Sequence, residues 1–218
     1  PMLSESDMRL ITIYVFLQKC NISYNMKIVN FSENNSELNR FVAELRDTNI
    51  QGDRLRFRKN LERIGEIISY ELSKDLHYSP KEIKTPLGII SINTSDDKLV
   101  LGTILRAGIP FHQGFLNYFD NAENAFVSAY RKYKDKLNFE IFIEYIASPR
   151  IDGKVLILTD PMLATGGSME LAYRALLTKG DPEHVHIASI IASQKAIEYV
   201  QEHFPSDKTT VWVGAIDP

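Results

Sequence analysis

The sequence of 218 residues contains a single cysteine, Cys20, and lacks a long apolar segment. One cysteine excludes an internal disulfide framework and a cysteine-rich metal site, and it fits a reducing compartment, so we expect a cytoplasmic protein. The N-terminal apolar run from Leu10 to Leu17 is too short to span a membrane. It is followed by Gln18 and Lys19 rather than by a small-residue cleavage site. We therefore expect neither a membrane anchor nor a secretory signal.

The sequence also lacks an excess of positive charge, because 25 Lys and Arg face 28 Asp and Glu, for a net charge of −3. This balance argues against nucleic acid or an anionic membrane as a partner, and an anionic ligand would need a local cluster of donors. Only 9 prolines and 11 glycines occur beside 44% hydrophobic residues, which excludes fibrous and disordered chains. We interpret residues 1–25 as an extension before Met26 and residues 26–218 as one domain.

The spacing of apolar residues predicts helices before strands and then an alternation of the two. One amphipathic helix is expected after Ser36, and a longer one from Asp53 to Leu76. The sequence then predicts strands at 87–93, 98–105, 125–131, 139–147, 154–160, 184–192 and 209–216, with helices at 168–178 and 194–203. This order predicts an α/β fold, a doubly wound and mostly parallel sheet with an N-terminal helical segment and a β-hairpin arm.

A loop of small residues, Asp160-Pro-Met-Leu-Ala-Thr-Gly-Gly-Ser168, follows the most apolar predicted strand. Ligands of open α/β sheets bind at the carboxyl ends of the strands, which is where this loop lies. Small side chains let backbone N–H groups approach an anion at the start of a helix, and Thr165 and Ser168 add hydroxyl donors. An ionised Asp160 would accept bonds from sugar hydroxyls. Together these groups suit a ribose 5-phosphate.

An alternative remains open for this loop, in which Gly166-Gly167 only forms a turn. Two other phosphate-binding patterns are excluded, since the sequence has neither Gly-x-x-x-x-Gly-Lys-Ser/Thr nor Gly-x-Gly-x-x-Gly.

Two arginines follow predicted strands. Arg106, with Ala107 and Gly108 after it, would present its planar guanidinium group to phosphate oxygens. Arg131 lies near the tip of the predicted hairpin, where a mobile loop would cover a ligand. A surface arginine and a solvated turn are the alternatives.

The 5 histidines share no metal-ligand spacing, and we expect no metal ligands from protein side chains. His184 and His186 lie two residues apart on a predicted strand, where packing is expected rather than a metal pair. For His112 we expect the surface of a helix. Phe111 and Phe115, with Tyr118 and Phe119, give one predicted helix more apolar surface than it needs, which favours an interface between copies.

Four segments carry a resemblance to a known family: Ile104-Leu-Arg-Ala-Gly108, Tyr130-Arg131, Asp160 to Ser168, and Gly214-Ala-Ile-Asp217. In this order they resemble the uracil phosphoribosyltransferases, which have the type I phosphoribosyltransferase fold. The resemblance implies transfer of ribose 5-phosphate from 5-phosphoribosyl 1-diphosphate to uracil, giving UMP and diphosphate. It also implies Mg²⁺, bound mainly through the diphosphate of the donor, a homodimer or larger assembly, and, as in some relatives, a possible GTP activator.

The resemblance assigns roles by position. The ribose hydroxyls and the 5-phosphate would be held by Asp160, Pro161, Met162, Leu163, Ala164, Thr165, Gly166, Gly167 and Ser168. The diphosphate would be held by Arg106, Ala107, Gly108 and Arg131, and the expected catalytic residues are Asp160, Arg106 and Arg131. In the family a base-reading loop follows the segment that ends here at Asp217, so the uracil-binding residues are expected beyond Pro218.

Two alternatives remain open at this point. One is a regulator of the same fold that binds a nucleotide or RNA. The other is a phosphoribosyltransferase for another base.

Overall fold

The computed structural model describes residues 26–133 and 139–218, and it describes their side chains except at 130–142. The strands are β1 Lys27–Asn30, β2 Tyr78–Thr85, β3 Gly88–Ser95, β4 Leu99–Leu105, β5 Glu123–Tyr133, β6 Phe139–Ala147, β7 Val155–Thr159, β8 Met162–Leu163, β9 His184–Ser193 and β10 Thr209–Asp217. The helices are α1 Glu37–Arg46, α2 Arg54–Ser73, α3 Ile109–Leu116, α4 Gly167–Leu177 and α5 Gln194–His203, with a 3₁₀ turn at Phe31–Glu33.

The main sheet has the strand order β1-β10-β9-β7-β4-β5-β6, and the short β8 pairs with β9. All of these pairs are parallel except β5 with β6, which form the antiparallel hairpin arm. Strands β2 and β3 form a separate antiparallel hairpin. The predicted fold class is therefore confirmed, while β1, β2 and β8 have no counterpart among the predicted strands.

Two hydrophobic cores lie on the two faces of the sheet. Helices α1, α2 and α3 cover one face, and α4 and α5 cover the other. All five residues of β7 are buried. Val155 and Ile157 belong to the first core, whereas Leu156 and Leu158 belong to the second. A strand between two cores has no polar face, which explains the continuous apolar run in its sequence.

The predicted helix starts are both in place, but only one is capped by a side chain. Asp53 accepts hydrogen bonds from the backbone N–H groups of Leu55 and Arg56, each at 3.0 Å. Ser36 lies at the N-cap position of α1 and makes no such bond. The longer helix ends at Ser73, earlier than predicted, and Leu76 packs into the core from the turn that follows.

Two of the four aromatic residues expected at an interface, Phe111 and Phe115, prove to be core residues, whereas Tyr118 is 48% exposed. Phe111 and Phe115 are fully buried, and their rings meet edge to face at 5.1 Å. They pack in the same core as Ile64 and Ile68 of α2. The prediction of an interface from these two residues is wrong, because α3 packs against α2 and β4 and both side chains are buried there.

The part of the chain described here contains no helix long and apolar enough to cross a membrane. Cys20 and the rest of the predicted extension 1–25 lie outside the described residues.

Candidate active site

The two predicted ligand loops leave neighbouring strands at the same edge of the sheet. Thr103 of β4 is the register partner of Thr159 of β7, so the residues after Leu105 and after Thr159 emerge side by side. The two loops line one cavity of about 230 Å³. Its walls are formed by Ala107, Asp160, Pro161, Met162, Leu163, Ala164, Thr165, Gly166, Ser168 and Met169. The structure thus brings together most of the residues that the sequence singles out.

Three predicted residues contribute in other ways. Gly108 is buried beneath the first loop, and the side chain of Arg106 is exposed beside the cavity. Arg131 lies on β5 opposite Ile141, three residues beyond Ser128, which pairs with Leu105 at the end of β4. The backbone of the arm therefore extends past the edge at which the loops lie. The side chain of Arg131 is outside the described residues.

The second loop ends in a left-handed turn at the start of α4. Gly166 is the N-cap of this helix and has φ of +81°, which other residues rarely adopt. The helix begins at Gly167, and its first backbone bond runs from the N–H of Glu170 to the carbonyl of Gly166 at 3.0 Å. The N–H groups of a first helical turn have no partner within the helix and favour an anion. Thr165 and Ser168 place hydroxyl groups beside them.

Asp160 follows directly on the buried strand and is itself partly buried. Its backbone N–H donates to the carbonyl of Ala188 at 3.1 Å, which extends the pairing of β7 with β9. Burial raises the pKa of the carboxyl to about 7, against an opposing hydrogen bond from the N–H of Met162. Hydroxyl donors or a cation at the cavity would therefore favour the ionised form.

The first loop is a tight turn into α3. The Leu105–Arg106 peptide bond is cis. The N–H of Gly108 donates to the carbonyl of Ile104 at 3.2 Å. A Cβ atom on Gly108 would lie 2.1 Å from Oγ1 of Thr103 and 2.8 Å from the carbonyl oxygen of Ile104. Only glycine therefore fits here, and the backbone of this loop rests on the end of β4.

The hydrogen bonds by which β9 holds the loop from Asp160 to Ser168 were not predicted from the sequence. The hydroxyl of Ser193 donates to the carbonyl of Ala164 at 2.7 Å, and the N–H groups of Ile190 and Ile191 approach the carbonyl of Pro161 at 3.2 Å each. Ser193 also caps α5 by accepting from the N–H of Ala196 at 3.0 Å. Its position before a predicted helix signals the cap, but nothing in the sequence signals the bond to Ala164.

The histidines lie away from the cavity. His112 is only 3% exposed, and its Nε2 lies 2.7 Å from Oδ1 of Asn124, so the prediction of a helix-surface residue is wrong. Burial lowers its pKa. His186 is buried as predicted, where its Nδ1 accepts from Nε1 of Trp212 at 3.1 Å. Among residues 26–133 and 139–218, no group of three or more His, Cys, Asp or Glu side chains could hold a metal ion.

Comparison with protein families gives a match to the uracil phosphoribosyltransferase model over residues 33–218. The chain belongs to the uracil phosphoribosyltransferase family. It is 63% identical over 193 residues to a uracil phosphoribosyltransferase of Porphyromonas gingivalis, covering 88% of this chain and 89% of the relative. It is 32% identical over 188 residues to one of Sulfolobus acidocaldarius, covering 82% and 84%.

A solved structure shares this fold. The AQ2163 protein from Aquifex aeolicus superposes with a TM-score of 0.76 at 30% identity, over 87% of each chain. The resemblance seen in the four sequence segments is thus confirmed, and with it the fold of the family.

Proposed function

We propose that this chain transfers ribose 5-phosphate from 5-phosphoribosyl 1-diphosphate to uracil, giving UMP and diphosphate in pyrimidine salvage. The observation that carries the proposal is the loop from Asp160 to Ser168, which places a carboxyl group and a helix N-terminus at one cavity. A relative that is 63% identical and is named uracil phosphoribosyltransferase supports the proposal.

The reaction breaks the bond from the anomeric carbon to the diphosphate oxygen and forms a bond to a ring nitrogen of the base. Its transition state resembles an oxocarbenium ion, and no protein nucleophile is needed. Asp160 accepts bonds from the ribose hydroxyls and, when ionised, lies close to the positive charge that develops on the sugar. The first turn of α4, with Thr165 and Ser168, holds the 5-phosphate at the far end of the sugar.

Arg106 and Arg131 bind the diphosphate and stabilise it as it leaves. Arg106 is exposed next to Ala107, which lines the cavity, so its guanidinium is free to bond oxygens of the leaving group. The backbone of Ala107 and Gly108 approaches the same group from below. Because the bond from the N–H of Gly108 to the carbonyl of Ile104 holds this loop before the reaction, stabilisation of the leaving group costs little reorganisation of the loop.

A magnesium ion fits this site as a partner of the substrate. The carboxyl oxygens of Asp160 at the cavity are the ligand type that Mg²⁺ prefers. Since a single carboxyl group is present there, the ion would be held mainly by the diphosphate and not by protein side chains. When bound, it neutralises charge on the leaving diphosphate.

The test is formation of UMP from uracil and donor in the presence of Mg²⁺, with cytosine, hypoxanthine and adenine compared in the same assay. We expect uracil to be preferred, and a purine preference would contradict the proposal. Arg106→Ala is expected to lower kcat by about 100-fold, the usual loss when one donor to a developing charge is removed.

We also propose a homodimer or larger homo-oligomer, on a basis different from the buried α3 helix. In the β2–β3 hairpin, Ile83 pairs with Ile90 and Lys81 with Ile92, which places three isoleucines on one face. Ile90 is 46% exposed and Ile92 is 42% exposed. A two-stranded hairpin is marginal alone and is stabilised by packing of its apolar face. A second copy suits this face because it offers the same apolar surface across a two-fold axis.

A cytoplasmic location and activation by GTP are proposals of a different kind. The first rests on the single cysteine of the sequence. The second rests on the family resemblance, and addition of GTP to the assay above tests it directly.

A further inference from the structure

We propose that Tyr199 is a positioning residue, which holds the turn of Ala164 to Gly167 in the shape that binds the 5-phosphate of the donor. The proposal rests on the function given above and concerns how that site is kept in order. Tyr199 lies on α5 and is not among the residues that line the cavity.

The ring of Tyr199 lies directly against the backbone of Gly166. A Cβ atom on Gly166 would fall 2.4 Å from Cδ1, 3.0 Å from Cγ and 3.1 Å from Cβ of Tyr199. The ring therefore occupies the space beside the one residue of the turn that has a positive φ. Because glycine moves easily between left-handed and right-handed conformations, this contact limits the alternatives open to the turn.

The hydroxyl of Tyr199 fixes the position of the ring. It donates to Oε2 of Glu170 at 2.5 Å, while Oε1 of Glu170 accepts from Nε and Nη2 of Arg174, each at 2.7 Å. Glu170 lies in the first turn of α4 and is only 8% exposed. Burial acts to raise the pKa of this carboxyl, but the hydrogen bonds from Tyr199 and Arg174 outweigh it, and the pKa lies below its ordinary value.

The ring of Tyr199 also contacts His203, a residue of its own helix α5. The ring of His203 stacks on that of Tyr199 with centroids 3.8 Å apart and planes 12° apart, and His203 Nδ1 lies 2.8 Å from the carbonyl oxygen of Tyr199. At the start of α5, Ser193 bonds the carbonyl of Ala164. The turn is thus held at two points, Ala164 and Gly166, by one helix.

This arrangement matters for an anion in two ways. The N–H groups of the turn bind phosphate well only while they point to one place, and a displacement of about 1 Å costs on the order of 100-fold in comparable sites. Glu170 is also a negative charge in the helix turn that would receive the phosphate. Bonds to Tyr199 and Arg174 keep this carboxylate paired and away from the ligand.

The test compares two ligands that bind at opposite ends of the donor site. We expect Tyr199→Ala to weaken the binding of ribose 5-phosphate at least about tenfold and to leave binding of diphosphate with Mg²⁺ unchanged within about twofold, since only the former contacts the turn. Tyr199→Phe keeps the ring and loses the bond to Glu170, and it should weaken the binding of ribose 5-phosphate about threefold. Isothermal titration calorimetry measures the affinity of each variant for ribose 5-phosphate and for diphosphate with Mg²⁺. In steady state, KM for the donor should rise while kcat changes little.

Tyr173→Ala is the matched control. Tyr173 also joins α4 to α5, through a stack on Phe204 at 4.7 Å, and it is 5% exposed, but it does not touch the turn. We expect this variant to lose thermal stability and to keep its affinity for ribose 5-phosphate. If Tyr173→Ala lost as much affinity for ribose 5-phosphate as Tyr199→Ala, the inference would be overturned but the proposed function would not. Wild-type affinity for ribose 5-phosphate in both Tyr199 variants would have the same consequence. Wild-type protein that binds no ribose 5-phosphate would overturn the proposed function as well.

Discussion

Thr103 and Thr159 are joined across β4 and β7 by their hydroxyl groups. Oγ1 of Thr159 donates to the carbonyl oxygen of Gly102 at 3.0 Å, and Oγ1 of Thr103 donates to that of Thr159 at 3.3 Å. Both residues are fully buried, and each is the last or nearly the last of its strand before a ligand loop. The two loops therefore start from strands that are held together by side chains as well as by the sheet.

We expect Thr159→Val to destabilise the protein by about 1 kcal/mol, because it keeps the shape of the side chain and removes one buried hydrogen bond. Thr103→Val removes the longer bond and should cost less. Urea denaturation of the wild type, both single variants and the double variant gives a double-mutant cycle. Since the residues are neighbours, the effects should not add, and strict additivity would contradict a coupled pair.

Gly108→Ala is expected to abolish most activity. The new Cβ would lie 2.1 Å from Oγ1 of Thr103, so the loop that carries Arg106 must move away from β4. Loss of the aligned donors should lower kcat/KM by about 100-fold. Steady-state kinetics with wild-type protein and Gly52→Ala provide the comparison, because nothing lies within 4 Å of a Cβ on Gly52. Full activity in Gly108→Ala would contradict the close contact.

The carboxyl of Asp160 should make stability depend on pH. Its pKa of about 7 in the folded protein exceeds the ordinary 3.8 of the unfolded chain. The folded protein therefore keeps a proton that the unfolded chain has lost, and stability falls as pH rises from about 4 to about 7. Above that range stability no longer changes through this group, because the carboxyl is ionised in both the folded and the unfolded chain.

Asp160→Asn removes this loss. In the absence of ligand and metal we expect it to raise the free energy of unfolding by about 2 kcal/mol near pH 8 and by little near pH 4, at roughly 1.4 kcal/mol per pKa unit with a discount for partial exposure. Urea titrations at both pH values measure the difference. Asp207→Asn, at an exposed position, is the control and should show no such change. A stabilisation of equal size at both pH values would argue against a raised pKa.

The isoleucine face of the β2–β3 hairpin gives a test of assembly. Ile90→Lys places a charge on the face shared by Ile83 and Ile92, and light scattering should show a smaller assembly than for the wild type. Ile89→Lys is the control, because Ile89 lies on the opposite face of the same strand and is 69% exposed. A monomeric wild type, or equal dissociation by both variants, would speak against this face as the interface.

Local patterns predicted most of the fold and much of the site. The apolar run of β7, the small-residue loop after Asp160 and the N-cap Asp53 are each visible in a few consecutive residues, and all lie where the sequence predicts. β2 was missed because Tyr78–Thr85 is a largely exposed strand with proline and charged residues, which lacks an apolar pattern.

What the sequence did not reveal depends on contacts between distant segments. Phe111 and His112 look like surface residues until α3 is packed against α2 and β4. The contact of Tyr199 with Gly166 joins residues 33 positions apart, and no spacing rule connects a tyrosine in one helix with a turn before another. Periodicity reports which face of an element is apolar, but not which neighbour that face meets.

The complete burial of β7 has a consequence for amide exchange. Its backbone lies between β4 and β9 and under both cores, so its amides should exchange only when the whole domain opens. The exposed residue Thr165, only a few positions later, should exchange far sooner. The proposed donor site thus joins a strand whose amides are protected by the whole domain to a loop that solvent reaches without such opening.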